Sequence, residues 1–219
     1  INSWVMSQAS IRDVLKAKRL VIKFVRGNLL LEWVAVNMKV MTPILVIRHP
    51  CAIVASQLSK GWNSGIKRQL NHPYLDRYPE IRERCADLSE PEEVAALTWC
   101  IRYHAPLMAQ HPYPFLLVSY EKLVRDGRQE LERIFKALDI PLGREAISHL
   151  YKPSDTVVEN SQIVMGRDPL AGWKEKLSQV QIDNILAVLK IFDLDFYSEK
   201  LEPDYEKMMS YGTRFSNGR

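Results

Sequence analysis

Apolar residues fall along this chain in two kinds of run. Three are short and nearly continuous: RLVIKFV from Arg19 to Val25, ILVI from Ile44 to Ile47, and PFLLVSYEKL from Pro114. Runs of this length, rich in β-branched residues, are what parallel strands show when both faces are buried. The other runs have helical spacing. SIRDVLKAK, from Ser10 to Lys18, places a capping serine before Ile11, Val14 and Leu15, and LLLEWVAVNMK after Asn28 predicts a buried helix. Pro50 suits the first turn of a helix that carries Ser56 and Ser59. SEPEEVAALTWCIRYHAPLMAQ has an acid-rich, capped start and apolar positions at Val94, Leu97, Ile101 and Leu107, the pattern of a long helix. Helices also follow over Arg128–Leu138, Glu145–Tyr151 and from Ser178, where SQVQ forms a capping box, to Ile191. Strands alternating with helices predict an α/β fold: three layers, with a mostly parallel, doubly wound central sheet flanked by helices.

Two stretches break the pattern. Lys60–Glu90 mixes glycine, proline and charge around Trp62, Tyr74 and Tyr78, and reads as a lid or acceptor-facing insertion. Lys152–Gly172 has no periodicity, and the closing YEKMMSYGTRFSNGR reads as a surface tail.

The 219 residues are expected to form a single domain, with no run of the roughly 18 apolar residues that a membrane span needs. A net charge of +4, with basic residues interleaved among acidic ones, favours a local anion site over a nucleic-acid tract. Cys51, Cys85 and Cys100 make an odd count without metal-like spacing, which points to a reducing, cytoplasmic setting and no metal.

The candidate chemistry gathers where strands end. Arg48 closes the ILVI run at the carboxyl edge, where open α/β sheets bind ligands, and a helix starts just beyond it. An Arg fork, the amides of a helix start and the Ser56 hydroxyl together outline a phosphate site. Tyr120 falls on the same rim at the end of the third run, and Lys23 near the end of the first. Arg167, between Gly166 and Asp168, is a loop cation able to approach a ligand closely. His104 on the long helix reads as a satisfied, partly buried histidine.

In this order the residues resemble the sulfotransferase superfamily that uses 3′-phosphoadenylyl sulfate. Arg48 and Ser56, eight positions apart, are similar to the pair that holds the 3′-phosphate. Lys23 in VIKFV looks like the lysine that stabilises the transferring sulfuryl group. Tyr120 in VSYEKL resembles the tyrosine beside the adenine, and MGRDPLAGWKEKLS resembles the late segment with a phosphate-binding Arg, here Arg167. The resemblance implies a P-loop-like fold and transfer of a sulfuryl group to a hydroxyl or amine of a small-molecule or carbohydrate acceptor. It also implies the 3′,5′-bisphosphate as product and no metal. Family members begin with a strand and a Gly/Ser/Thr-rich loop for the 5′-phosphosulfate. No such loop precedes Lys23 here, so the domain is expected to be N-terminally incomplete. The family's histidine base would fall at Val25, which leaves Glu32, His104 or a residue upstream. A non-catalytic nucleotide-binding protein and a small-molecule kinase are the alternatives.

Overall fold

The computed structural model describes residues 21–61, 65–109, 113–149 and 168–213. The expected helix from Ser10 to Lys18 lies outside them. Among the described residues the sheet has two strands, β1 (Ile44–Ile47) and β2 (Leu116–Ser119), paired parallel with Ile44 opposite Leu116 and Ile47 opposite Ser119. Between them run α2 (Pro50–Leu58), α3 (Ile66–Leu70), a 3₁₀ turn at Pro73–Arg77, α4 (Pro79–Arg84) and the long α5 (Pro91–Leu107). The chain before β1 forms a 3₁₀ turn at Asn28–Leu30 and α1 (Leu31–Asn37). After β2 come α6 (Tyr120–Arg125), α7 (Gly127–Ala137), α8 (Arg144–His149), α9 (Gln179–Ile191) and α10 (Tyr205–Thr213). The parallel, crossover-connected sheet expected from the pattern is present, with fewer strands than predicted.

The core lies where α2, α5 and α9 pack together beside the sheet. Ile47, Leu97, Ile101, Ile185, Leu189, Phe192 and Phe196 are fully enclosed there. Local signals account for the boundaries. Pro50, Pro73, Pro79 and Pro91 each start a helical segment, where their missing N–H costs nothing. Two capping boxes, Glu90 with Glu93 and Ser178 with Gln181, open α5 and α9.

Several expectations need correcting. Val21–Val25 is not a strand: it carries no regular structure, and Val21, Ile22, Phe24 and Val25 are exposed. The geometry of β1 gives a reason. Leu116 N–H donates to the Pro43 carbonyl, so by alternation the Val46 and Arg48 carbonyls point away from β2. Those two are taken by side chains of α5: Tyr103 Oη donates to Val46 O at 3.0 Å and Trp99 Nε1 to Arg48 O at 3.1 Å. The far edge of β1 is thus closed by a helix instead of a third strand. Nor is β1 buried on both faces, since Leu45 and Ile47 are enclosed while Ile44 and Val46 are exposed.

Helix α1, expected to be buried, contains no buried residue, and Trp33 and Val36 face solvent. The stretch from Lys60 onward is more regular than its composition suggests. Gly61 and Gly65, with φ of +64° and +48°, turn the chain in the left-handed region open to glycine. The short helices that follow then send Leu75, Ile81 and Cys85 into the core. The supposed surface tail contains α10, which buries Met208 and Tyr211, and Tyr211 Oη donates to Asp193 O at 2.7 Å. Its two apolar anchors are separated by three positions on a largely polar helix, a stripe too narrow for periodicity to register. All three cysteines are free and buried.

Candidate functional site

The corner where β1 turns into α2 is organised from below by a buried carboxylate. Glu121 is 1% exposed and accepts three hydrogen bonds: from His49 N–H at 2.8 Å, Ser119 Oγ at 2.8 Å and Tyr197 Oη at 2.9 Å. It therefore fastens the end of β1, the end of β2 and the segment after α9 to one point. Enclosure and this carboxylate push the Tyr197 phenol well above its ordinary range, so it stays a donor.

His49 is the second device. Its Nδ1 accepts from Cys51 N–H at 3.1 Å, capping α2, and Nε2 lies 3.0 Å from Ser198 O. An Nδ1 that accepts and an Nε2 that donates define one neutral tautomer. The ring stacks on Trp173 with centroids 4.7 Å apart and meets Tyr197 edge-on. Desolvation first, then the nearby charges of Lys174 and Arg48, hold its pKa down at about 4, against backbone hydrogen bonds to Ser198 and Lys200 that raise it.

On this frame sit the residues singled out from the sequence. Arg48 lies one residue past the end of β1, with its guanidinium carbon 4.3 Å from the centre of the Tyr120 ring, a cation–π contact. The two strand ends are thereby brought together as expected. Among the described residues, Arg48 Nε is buried without a hydrogen-bond partner, and so is Nε1 of Trp173, the ring stacked on His49. Orphaned buried donors are costly, and two at one corner mark a place suited to acceptor oxygens.

The start of α2 departs from expectation. Pro50 has no N–H, Cys51 N–H goes to the His49 ring, and Ala52 and Ile53 N–H go to His49 O at 3.1 and 3.2 Å. These amides are spent within the protein, so an anion here would be held by side chains. Ser56 is exposed on the last turn of α2, and its hydroxyl has no partner among the described residues. Lys23 lies in the exposed stretch without regular structure, and the structure gives it no contact to Arg48 or Tyr120. Arg167 lies outside the described residues. Its neighbour Asp168 forms an ion pair with Arg125 at 2.7 Å.

Glu121 and His49 were missed in the sequence reading. Glu121 directly follows the singled-out Tyr120, and a carboxylate at a strand-to-helix junction could have drawn notice. The role of His49 depends on Ser198 and Trp173, more than a hundred positions away, and had no local signal. His104, by contrast, is as expected a satisfied buried histidine. Its Nδ1 lies 2.6 Å from Tyr74 Oη, it packs against Tyr78 and Phe192, and burial holds its pKa down at about 4, opposed by Asp193 and Glu80. An enclosed, weakly basic ring is poorly placed to take a proton from a substrate. Among the described residues no cluster of three or more His, Cys, Asp or Glu could hold a metal, and no helix is long and apolar enough to cross a membrane.

A family model described as "Sulfotransferase domain" matches residues 28–158, more than half of the chain. The match takes in Arg48, Ser56, Tyr120 and Glu121, whereas Lys23 lies before it. No curated protein or solved structure matches the chain.

Two outcomes are expected of this frame. Removing the acceptor in Glu121→Ala strands three buried donors and should cost at least about 3 kcal/mol in urea denaturation, since hydrogen bonds to a buried charge are the strong class. A loss below about 1 kcal/mol would show that the carboxylate is not the anchor. The histidines give a pH signature. His49 and His104 are held near 4 in the fold against 6.5 ordinarily, so the unfolded chain binds more protons as the pH falls below 6.5. Stability is therefore complete above that value and is lost as the pH drops toward 4, by about 2 kcal/mol per ring between pH 7.5 and 5. Denaturation midpoints that are equal at the two pH values would contradict the assignment.

Proposed function

The chain belongs to the sulfotransferase domain family, and on that premise we propose that it moves a sulfuryl group from 3′-phosphoadenylyl sulfate to a hydroxyl or amine of a small-molecule or carbohydrate acceptor. The observation that carries the reading is the unpartnered Nε of Arg48, buried at the end of β1 beside the Tyr120 ring. An arginine fork at the strand end and an exposed serine hydroxyl on the following helix make up the donor set that a phosphate monoester requires. Arg48 and Ser56 hold the 3′-phosphate of the nucleotide, Tyr120 lies by its base, and Arg167 adds a second cation to the same phosphate. Saturation of the α2 amides supports this division. The anion is read by a fork and a hydroxyl, with the helix end contributing only its partial positive charge.

The nucleotide supplies an activated sulfuryl group, whose transfer spreads charge over oxygens and rewards positioned cations. Lys23 is the residue assigned to that charge. It stands in a stretch whose apolar side chains are exposed, and its role requires the stretch to settle against the domain when the donor binds. The wider three-layer sheet of the family belongs to the same proposal, as does the part of the segment from Lys60 to Glu90 as a lid over the acceptor.

Arg48→Ala is expected to weaken binding of adenosine 3′,5′-bisphosphate by roughly 2–5 kcal/mol, the range for removing one partner of a desolvated charge pair. Calorimetry that finds unchanged affinity would remove Arg48 from the site. Lys23→Ala should abolish sulfuryl transfer while bisphosphate affinity stays within about threefold, because only the transition state uses that charge. A Lys23→Ala protein that turns over normally would refute its role.

A further inference from the structure

Beside the C-terminal end of α5, the structure contains a cavity of about 580 Å³. That is ample for a small organic molecule. Its walls come from four places in the sequence: Asn28 to Glu32 at the start of α1, His72 to Tyr78 around the 3₁₀ turn, Ala105 to Ala109 at the end of α5, and Tyr113 before β2. Three tyrosine rings, Tyr74, Tyr78 and Tyr113, give it an aromatic lining. Burial pushes the phenols of Tyr74 and Tyr113 upward, so both stay neutral.

Glu32 is the one carboxylate among the lining residues. It is half-buried and has no ion-pair or hydrogen-bond partner among the described residues. Its charge reaches Tyr113, where it is the cause, after burial, of the raised pKa. His72 accepts from Tyr74 N–H through Nδ1, and burial, with Arg102 and Arg68 nearby, lowers its pKa, so this ring is neutral as well. The remaining charged lining residue, Arg77, is exposed to solvent; its charge reaches Tyr74, and no ion pair joins it to Glu32. A half-buried carboxylate without a counter-ion, facing aromatic rings, is uncompensated until a cation arrives. The quadrupole of each ring face attracts the same charge.

We propose that this cavity is the acceptor site and that it selects acceptors carrying an ammonium group beside an aromatic or apolar body, with Glu32 as the counter-charge; the word acceptor rests on the sulfotransferase reading above. Glu32 is here a specificity-determining residue that touches the acceptor at a point remote from the hydroxyl or amine that receives the sulfuryl group. An ammonium held by Glu32 remains protonated and is not itself the nucleophile, so the accepting group must be a second one at the other end of the molecule.

Three phenols that differ only in their side-chain charge test this. Tyramine, 4-ethylphenol and 3-(4-hydroxyphenyl)propanoate are titrated into the full chain without nucleotide, with adenosine 3′,5′-bisphosphate titrated in parallel. Tyramine is expected to bind about tenfold or more tightly than 4-ethylphenol, with the propanoate weakest, the size of a partly desolvated cation contact. Glu32→Gln should bring tyramine to the level of 4-ethylphenol, and Glu32→Asp should restore part of the preference. Equal binding of the first two phenols, preference for the propanoate, or a Glu32→Gln protein that still favours tyramine would overturn the proposal. Normal bisphosphate binding in any of those cases would leave the donor site standing. Failure to bind the bisphosphate, with the tyramine preference intact, would overturn the sulfotransferase reading instead and leave the cation selectivity in place.

Discussion

One buried carboxylate sets the geometry on which the rest depends. Among the described residues Glu121 meets no cation and is compensated by three donors: a backbone amide, a serine hydroxyl and a tyrosine hydroxyl. Such a group is tolerated in an interior when every lone-pair direction is used, and it is unforgiving when one is lost. Because the donors come from the ends of both strands and from the segment after α9, Glu121 fixes where Arg48 begins and where Tyr120 ends. Its effect is to set the starting point of the two candidate residues.

The same logic explains why an anion at this corner would meet side chains first. A helix start ordinarily offers free amides, but His49 fills that role from within by capping Cys51 while its other nitrogen reaches Ser198. The neutral tautomer is essential to both contacts. Protonation at Nδ1 would place a donor against a donor, and stacking on Trp173 in an enclosed site makes the charged ring costly to form. Among the described residues, Arg48 Nε and Trp173 Nε1 at this corner have no partner and keep capacity for oxygen.

Much of this was legible in the sequence, and the failures have identifiable causes. β1, α2, α5 and α9 were readable because a continuous β-branched run, a proline at a helix start and two capping boxes are local signals. So was the meeting of Arg48 with Tyr120, since two parallel strands in register must bring their ends to one rim. The burial of α1 and of both faces of β1 was not readable, because periodicity reports which side is apolar and cannot report whether anything covers it. Val21–Val25 shows the same limit in a strand-like run. Its composition suits a strand, but Trp99 and Tyr103 hold the carbonyls along the edge of β1 that points away from β2. The prolines between Lys60 and Glu90 looked like breakers and turned out to be helix initiators, a distinction that depends on whether Leu75 and Ile81 find a core to enter.

Helix α5 then links the two candidate sites. Trp99 and Tyr103, one turn apart, share a face and hold β1 by its carbonyls, while His104, one residue further on, is rotated about 100° and meets Tyr74 on the cavity side. The angular step of a single residue separates the face that supports Arg48 from the face that supports the tyrosine walls. Both faces are held by hydrogen bonds to enclosed or half-enclosed partners, so neither can shift without displacing the helix between them. On the proposed function, a nucleotide and an acceptor have to be kept in register, and the seventeen-residue helix packed on α2 and α9 is the element between their candidate sites. It follows that the buried histidine on that helix, although unsuited to proton transfer, bears on function through the position of Tyr74.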